Sequence, residues 1–134
     1  MPEVTPFLMF VGDRHGQAEA AVKFYVSAIK NSKVVSLEKY KPGEEEPTGT
    51  VKRARFTLNG REMMAMDSNA PHPFTFTPAV SLYLKCGTEA EVDDLFRTLS
   101  KGGNVLMEPG KYQFGRRFCW VEDRFGISWQ LSYE

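Results

Sequence analysis

The side chains able to do chemistry are few in this 134-residue sequence, and two of them are histidines. His15 stands in the glycine-flanked stretch Gly12-Asp13-Arg14-His15-Gly16, where a solvated loop imidazole or a helix-start contact is the plain expectation. His72 lies in Asp67 to Pro78 (DSNAPHPFTFTP), a connection long enough to act as a lid. There Phe74 and Phe76 could shelter a ligand, with Asp67 or His72 as the polar handle; covering core or partner is the other reading. Glu62 shares strand parity with Met64 and Met66, so it is a weak candidate base or substitute ligand if that face is functional. Ser81, Tyr83 and Lys85 share one face of a strand, and Ser128 and Gln130 share one face of another. Neutral hydroxyls and an amide among aromatic residues suit binding better than catalysis.

Aromatic side chains gather late in the chain, with Tyr112, Phe114 and Phe118 leading to Trp120 and Trp129 on neighbouring strands. Such rings form walls for flat or cationic ligands, at about 1 kcal/mol per contact, and they are also ordinary sheet core. Cys86 and Cys119 form no CxxC pair and have no histidine at metal spacing, so two buried, reduced thiols in a cytoplasmic protein are expected. Arg116-Arg117 reads as a surface pair and Glu44-Glu45-Glu46 as a solvated loop tip.

The 17 basic and 17 acidic residues cancel, which gives no electrostatic reason to expect nucleic acid or an anionic membrane as partner. Met1-Pro2-Glu3 does not open a signal peptide, and no apolar run is long enough to span a bilayer. The length suits one domain.

The elements that must position these groups follow one plan twice. Val4 to Val11 reads as a strand, and Ala18, Ala21, Val22, Tyr25, Ala28 and Ile29 mark an amphipathic helix within Gln17 to Lys30. Strands follow at Ser32 to Tyr40, Arg53 to Leu58 and Glu62 to Met66, with a solvated loop over Lys41 to Thr48 and a hairpin at Asn59-Gly60. The second half repeats the order. Val80 to Cys86 is a strand; Thr88 to Glu91 is a capping box opening a helix with Val92, Leu95, Phe96 and Leu99 on one stripe; Gly102-Gly103 ends it. Three strands follow at Asn104 to Met107, Arg117 to Val121 and Ile127 to Tyr133, the last two joined at Asp123 to Gly126. Setting Gly60 against Gly126 puts Met64 opposite Gln130, and setting the opening strands together puts Thr5 opposite Ser81. The expected fold is α+β: two βαβββ modules, 1–68 and 79–134 with a linker or lid at 69–78, whose curved mixed sheets surround a cleft within one domain, 1–134.

In this order and spacing, several short pieces resemble the vicinal oxygen chelate superfamily. They are Thr5-Pro-Phe-Leu-Met-Phe10, Ala21 to Tyr25, Phe56 to Gly60, Met66-Asp-Ser68 with His72, Val80 to Leu84, Leu99 to Gly103, and Asp123 to Leu131. That superfamily includes glyoxalase I, extradiol dioxygenases, fosfomycin-resistance proteins and bleomycin-binding proteins. The match is to its PhnB-like branch, labelled 3-demethylubiquinone-9 3-methyltransferase-like. The resemblance implies a divalent metal held from four positions, which here are Thr5, Met64, Ser81 and Gln130. A thioether, two hydroxyls and an amide are weak ligands for such an ion, so no metal and no cofactor are expected. The methyltransferase label has no GxGxxG-like strand-to-helix turn to support it.

The expected function is therefore metal-free binding of a small organic molecule, with Thr5, Phe7, Met64, Ser81, Tyr83, Trp120, Trp129 and Gln130 lining the site. Asp67, His72, Phe74 and Phe76 would form the lid, and a homodimer is the expected assembly, as among the relatives. The competing reading is a metal-dependent enzyme with a non-standard ligand set such as Glu62, His72 and Gln130.

Overall fold

The computed structural model describes residues 1–134, which divide into two compact units, Met1–Thr75 and Phe76–Glu134. Unit 1 runs β1 (Phe7–Phe10), a 3-10 turn (Gly12–Arg14), α1 (Ala18–Ala28), β2 (Lys33–Lys39), β3 (Val51–Leu58) and β4 (Arg61–Asp67). Its sheet has the order β1-β4-β3-β2, with β1 parallel to β4 and the other pairs antiparallel. Unit 2 runs β5 (Ser81–Lys85), α2 (Glu89–Ser100), β6 (Asn104–Tyr112), β7 (Gly115–Glu122) and β8 (Ser128–Tyr133), in the order β5-β8-β7-β6. The topology is the same in both, which is the α+β duplication of βαβββ expected from the internal repeat.

Each unit has one buried sheet face, covered by its helix. In unit 1, Ala18, Ala21, Val22 and Tyr25 of α1 are fully buried at spacings of three and four. Ala54 and Phe56 of β3, opposite Ala65 and Met63 of β4, form the matching sheet face. In unit 2, Val92 and Leu99 of α2 are buried with Cys119, Val121, Trp129 and Leu131 of the sheet. Removing a side chain such as Phe56 or Leu131 from water contributes about 1.5–3 kcal/mol. The alternate residues of β3 and β4, and of β7 and β8, lie on the opposite faces, where Met64, Trp120 and Gln130 are partly exposed while Phe118, Ser128 and Ser132 are buried.

Two carboxylates organise the loops. Asp67, fully buried at the end of β4, accepts hydrogen bonds from the amides of Gly16 (2.8 Å) and Ala18 (3.2 Å) through one oxygen and from Val51 (2.9 Å) through the other. It therefore holds the start of α1 and the start of β3. In unit 2, Asp123 accepts from the amides of Phe125 (2.8 Å) and Ile127 (3.1 Å) and from the Trp129 indole (2.8 Å), which fixes the β7–β8 turn. The β3–β4 hairpin is shorter. Asn59 and Gly60 take φ of 48° and 81°, as a two-residue turn matched to strand twist requires.

Some boundaries differ from those the sequence suggests. β1 begins only at Phe7, and Gly12–Arg14 forms a 3-10 turn where only a break was expected. β6 continues through Pro109 to Tyr112 instead of stopping at Met107. It is an edge strand with three irregularities in its register, so a residue with no amide hydrogen is tolerated there. At α2, the Thr88 hydroxyl accepts from the Glu91 amide (3.1 Å) as expected. The Glu91 carboxylate reaches the amide of Gly87 (2.8 Å), one residue before the cap, rather than that of Thr88.

Candidate functional site

The open face of the unit 2 sheet carries a connected set of polar groups. Antiparallel pairing sets Trp120 of β7 opposite Gln130 of β8, and parallel pairing sets Ser81 of β5 opposite Ser128 and Tyr83 opposite Gln130. Directly opposed residues share a face, so these side chains are neighbours. The Trp120 indole donates to Ser128 Oγ (2.8 Å), Ser128 Oγ lies 2.7 Å from Ser81 Oγ, and Gln130 Nε2 donates to Ser81 Oγ (3.2 Å). Ser128 is 1% exposed, whereas Ser81, Trp120 and Gln130 are half-buried and Tyr83 is exposed. A hydrogen-bonded chain thus runs from a buried hydroxyl to groups within reach of a ligand.

Trp129 does not belong to this face. It alternates with Ser128 and Gln130, is fully buried beside Leu131 and Val121, and gives its indole hydrogen to Asp123. Its expected place in the binding wall is corrected to a place in the core. Phe118 shares the Trp120 face but is sealed by Tyr112 and Phe114, with centroids 5.8 and 4.4 Å away.

The corresponding face of unit 1 is chemically different. Phe7 pairs with Met64 as Tyr83 pairs with Gln130, so Thr5 and Ser81, each two residues earlier, hold equivalent places. Arg55 lies opposite Met64, where unit 2 has Trp120 opposite Gln130, and Glu62 takes the place of Ser128. Where unit 2 has a short indole–hydroxyl bond, unit 1 has Arg55 and Glu62 at 3.7 Å, both about half exposed. Phe7 is exposed, with the Arg53 guanidinium 5.9 Å from its ring centroid.

The remaining candidates occupy separate places. The Asp67 carboxylate is committed to three backbone amides, so its expected role as a polar handle on a lid is replaced by a structural one. His72 Nε2 lies 3.0 Å from Ser68 Oγ and its ring packs 4.9 Å from that of Phe74, which is half exposed. Phe76 is the first residue of unit 2. His15 Nε2 stands 3.6 Å from Glu46, whose carboxylate accepts from the Asn69 amide (2.8 Å). Burial pushes the thiols of Cys86 and Cys119 up to about 11 and about 12, with nearby acidic groups adding to the effect. Neither is a thiolate near neutral pH, which denies both the nucleophilic chemistry of a reactive cysteine.

Ser128 is the residue sequence reasoning undervalued. Its parity with Gln130 was legible, but nothing in one dimension shows that its hydroxyl joins β7 to β5. As for a metal, Thr5 and Ser81 offer neutral hydroxyls, Met64 a thioether and Gln130 an amide already bonded to Ser81. These donors do not fit a divalent ion such as the superfamily holds. No group of three or more His, Cys, Asp or Glu side chains converges elsewhere.

Comparison with known proteins places the chain in a family. A family model described as 3-demethylubiquinone-9 3-methyltransferase matches residues 2–132. A PhnB protein from Bacillus cereus, described as a 3-demethylubiquinone-9 3-methyltransferase, has 45% identity and a TM-score of 0.92 over 99% of this chain and 100% of that one. A protein from Pseudomonas aeruginosa shares the fold at 24% identity and a TM-score of 0.83, over 100% and 98% of the two chains. The fosfomycin resistance protein FosX from Listeria monocytogenes, complexed with Mn(II) and sulfate ion, does so at 13% identity and 0.61, over 98% and 89%. The comparison with curated proteins returns no match. The chain belongs to the family described as 3-demethylubiquinone-9 3-methyltransferase, and it has the glyoxalase/bleomycin resistance/dioxygenase fold.

Proposed function

We propose that the protein binds a small organic molecule directly, on the open sheet face of unit 2, without a metal ion. The observation that carries this reading is the Trp120–Ser128–Ser81–Gln130 chain of neutral hydrogen-bonding groups, two of which, Ser81 and Gln130, stand where the resemblance expects metal ligands. The Trp120 and Tyr83 rings flank it and offer apolar surface to a flat ligand. A few placed polar groups among aromatic side chains are the usual make-up of a small-molecule site.

The family's methyltransferase description receives no support from the strand-to-helix turn. The amides at the start of α1, which in nucleotide-binding folds face a ligand, are taken by Asp67. Two unbridged, buried thiols suit a reducing cytoplasm. The exposed Val34 and Val35 of edge strand β2, and Val105 and Leu106 of edge strand β6, suit pairing into a homodimer.

A thermal-shift screen of the full chain against a broad metabolite set tests the binding reading, because a ligand that binds only the folded state raises the melting temperature. A hit should move the Trp120 indole resonance and leave that of Trp129 in place. A screen with no hit, or hits that perturb only Trp129, would refute the assignment of this face.

A further inference from the structure

The single contact between Ser81 and Ser128 can use only one of their two hydroxyl hydrogens. A hydroxyl has one hydrogen and two lone pairs. Trp120 fills one lone pair of Ser128, Gln130 fills one of Ser81, and a single hydrogen lies between the two oxygens. One hydroxyl hydrogen is left over. Were it that of Ser128, which is 1% exposed, a buried donor would be orphaned at a cost of about 1–3 kcal/mol. Ser128 therefore donates to Ser81, and the spare hydrogen belongs to half-buried Ser81. Both lone pairs of Ser81 are then filled, so the direction of its O–H is set by its neighbours.

Exchanging the two ends of the Gln130 amide does not alter the balance. Ser81 would then donate to Gln130 Oε1, and both amide hydrogens of Gln130 would remain. In either arrangement this face offers a hydrogen it cannot use itself. The charges around it narrow the class further. Glu122 lies opposite Ser128 in the β7–β8 ladder, and it accepts from Asn104 Nδ2 at 3.2 Å. Lys85, on the same strand face as Ser81, has its ammonium 4.0 Å from Glu134. A carboxylate ligand would meet Glu122 beside Ser128, while the cations of the same strand parity, Lys85 and Arg116, stand toward the opposite ends of β5 and β7.

We infer that the ligand presents a neutral carbonyl oxygen to Ser81, carried on a flat conjugated body that lies against Trp120. This rests on the proposed binding face and specifies what it selects. The test is titration of the full chain with ethylbenzene, acetophenone, benzoate and benzylamine, followed by the Trp120 indole resonance. Acetophenone should bind about five- to tenfold tighter than ethylbenzene and benzylammonium, the worth of one directed hydrogen bond. Benzoate should bind more weakly than acetophenone. Ser81→Ala should erase the acetophenone preference while leaving ethylbenzene unchanged, and Ser81→Thr, which keeps the hydroxyl, should retain it. Equal binding of ethylbenzene and acetophenone, tightest binding of benzoate or benzylammonium, or a preference that survives Ser81→Ala would overturn the inference while leaving the binding face intact. If no probe moves the Trp120 resonance, the face itself falls and the inference with it.

Discussion

Replacing Asp67 by alanine should cost this protein a large part of its stability, although Asp67 looks from the sequence like a functional acid. Its carboxylate is the acceptor for three amides, two of them on fully buried residues. Gly16 is exposed, so water can replace the lost bond there. Ala18 and Val51 are 0% and 1% exposed, so their N–H groups would be stranded. At about 1–3 kcal/mol for each stranded buried donor, the loss is about 2–6 kcal/mol, and relief from burying a charge moves it toward the lower half. A domain of this kind has only about 5–15 kcal/mol in total. Asp67→Asn should fall in between, since it keeps one acceptor and turns an NH2 group toward an amide that also donates. Urea unfolding at constant pH reads the loss as a lower midpoint with unchanged slope. Amide exchange at Ala18 and Val51 should accelerate more than at Leu131 of unit 2. A loss below about 1 kcal/mol for Asp67→Ala, or uniform acceleration in both units, would refute the reasoning.

Three further outcomes follow from other parts of the chain. The Cys86 and Cys119 thiols, raised to about 11 and about 12, stay protonated in the fold at pH values where they ionise once unfolded. Their contribution is complete below the unfolded thiol pKa of about 8.5 and is lost as pH rises toward 11–12, by at most about 1.4 kcal/mol per pH unit for each. A Cys86→Ala/Cys119→Ala variant should show a shallower fall in stability over that window, and an identical slope would count against buried thiols. Gly103→Ala should destabilise by about 1–3 kcal/mol or more, because a Cβ there overlaps the Glu122 carbonyl and crowds the Asp123 backbone; a thermal melt like that of the parent chain would contradict this. Thr88→Ala should cost about 1 kcal/mol through loss of the α2 cap, measured by the same melts, with no change contradicting the cap.

Local signals carried the fold. Ala18, Ala21, Val22 and Tyr25 announce a helix face by spacing alone, and Asn59-Gly60 announces a hairpin by its backbone freedom. The internal repeat then supplies the topology, because a second copy of the same order has to pair its strands in the same way. What failed were places where a tertiary partner decides. The strand expected to stop at Met107 runs on through Pro109, whose missing N–H is tolerated on an edge strand. Asp67 reads as a loop acid, and only the folded chain shows three amides converging on it. Trp120 and Trp129 look equivalent in one dimension. Odd and even positions separate them, and parity depends on where β8 begins: Trp129 goes to the core while Trp120 joins Ser128 on the open face. Ser81 and Gln130 could be placed together through the repeat, but the hydroxyl that links them to Trp120 could not.

The central claim is that this face works without a metal. The direct measurement is elemental analysis of the full chain purified without chelator, followed by addition of Mn2+, Ni2+ or Zn2+ while the Trp120 indole resonance is observed. Metal should be far below stoichiometric amounts, and none of the ions should move the Trp120 signal. Stoichiometric metal that is lost on Gln130→Ala, Glu62→Ala or His72→Ala would contradict the claim.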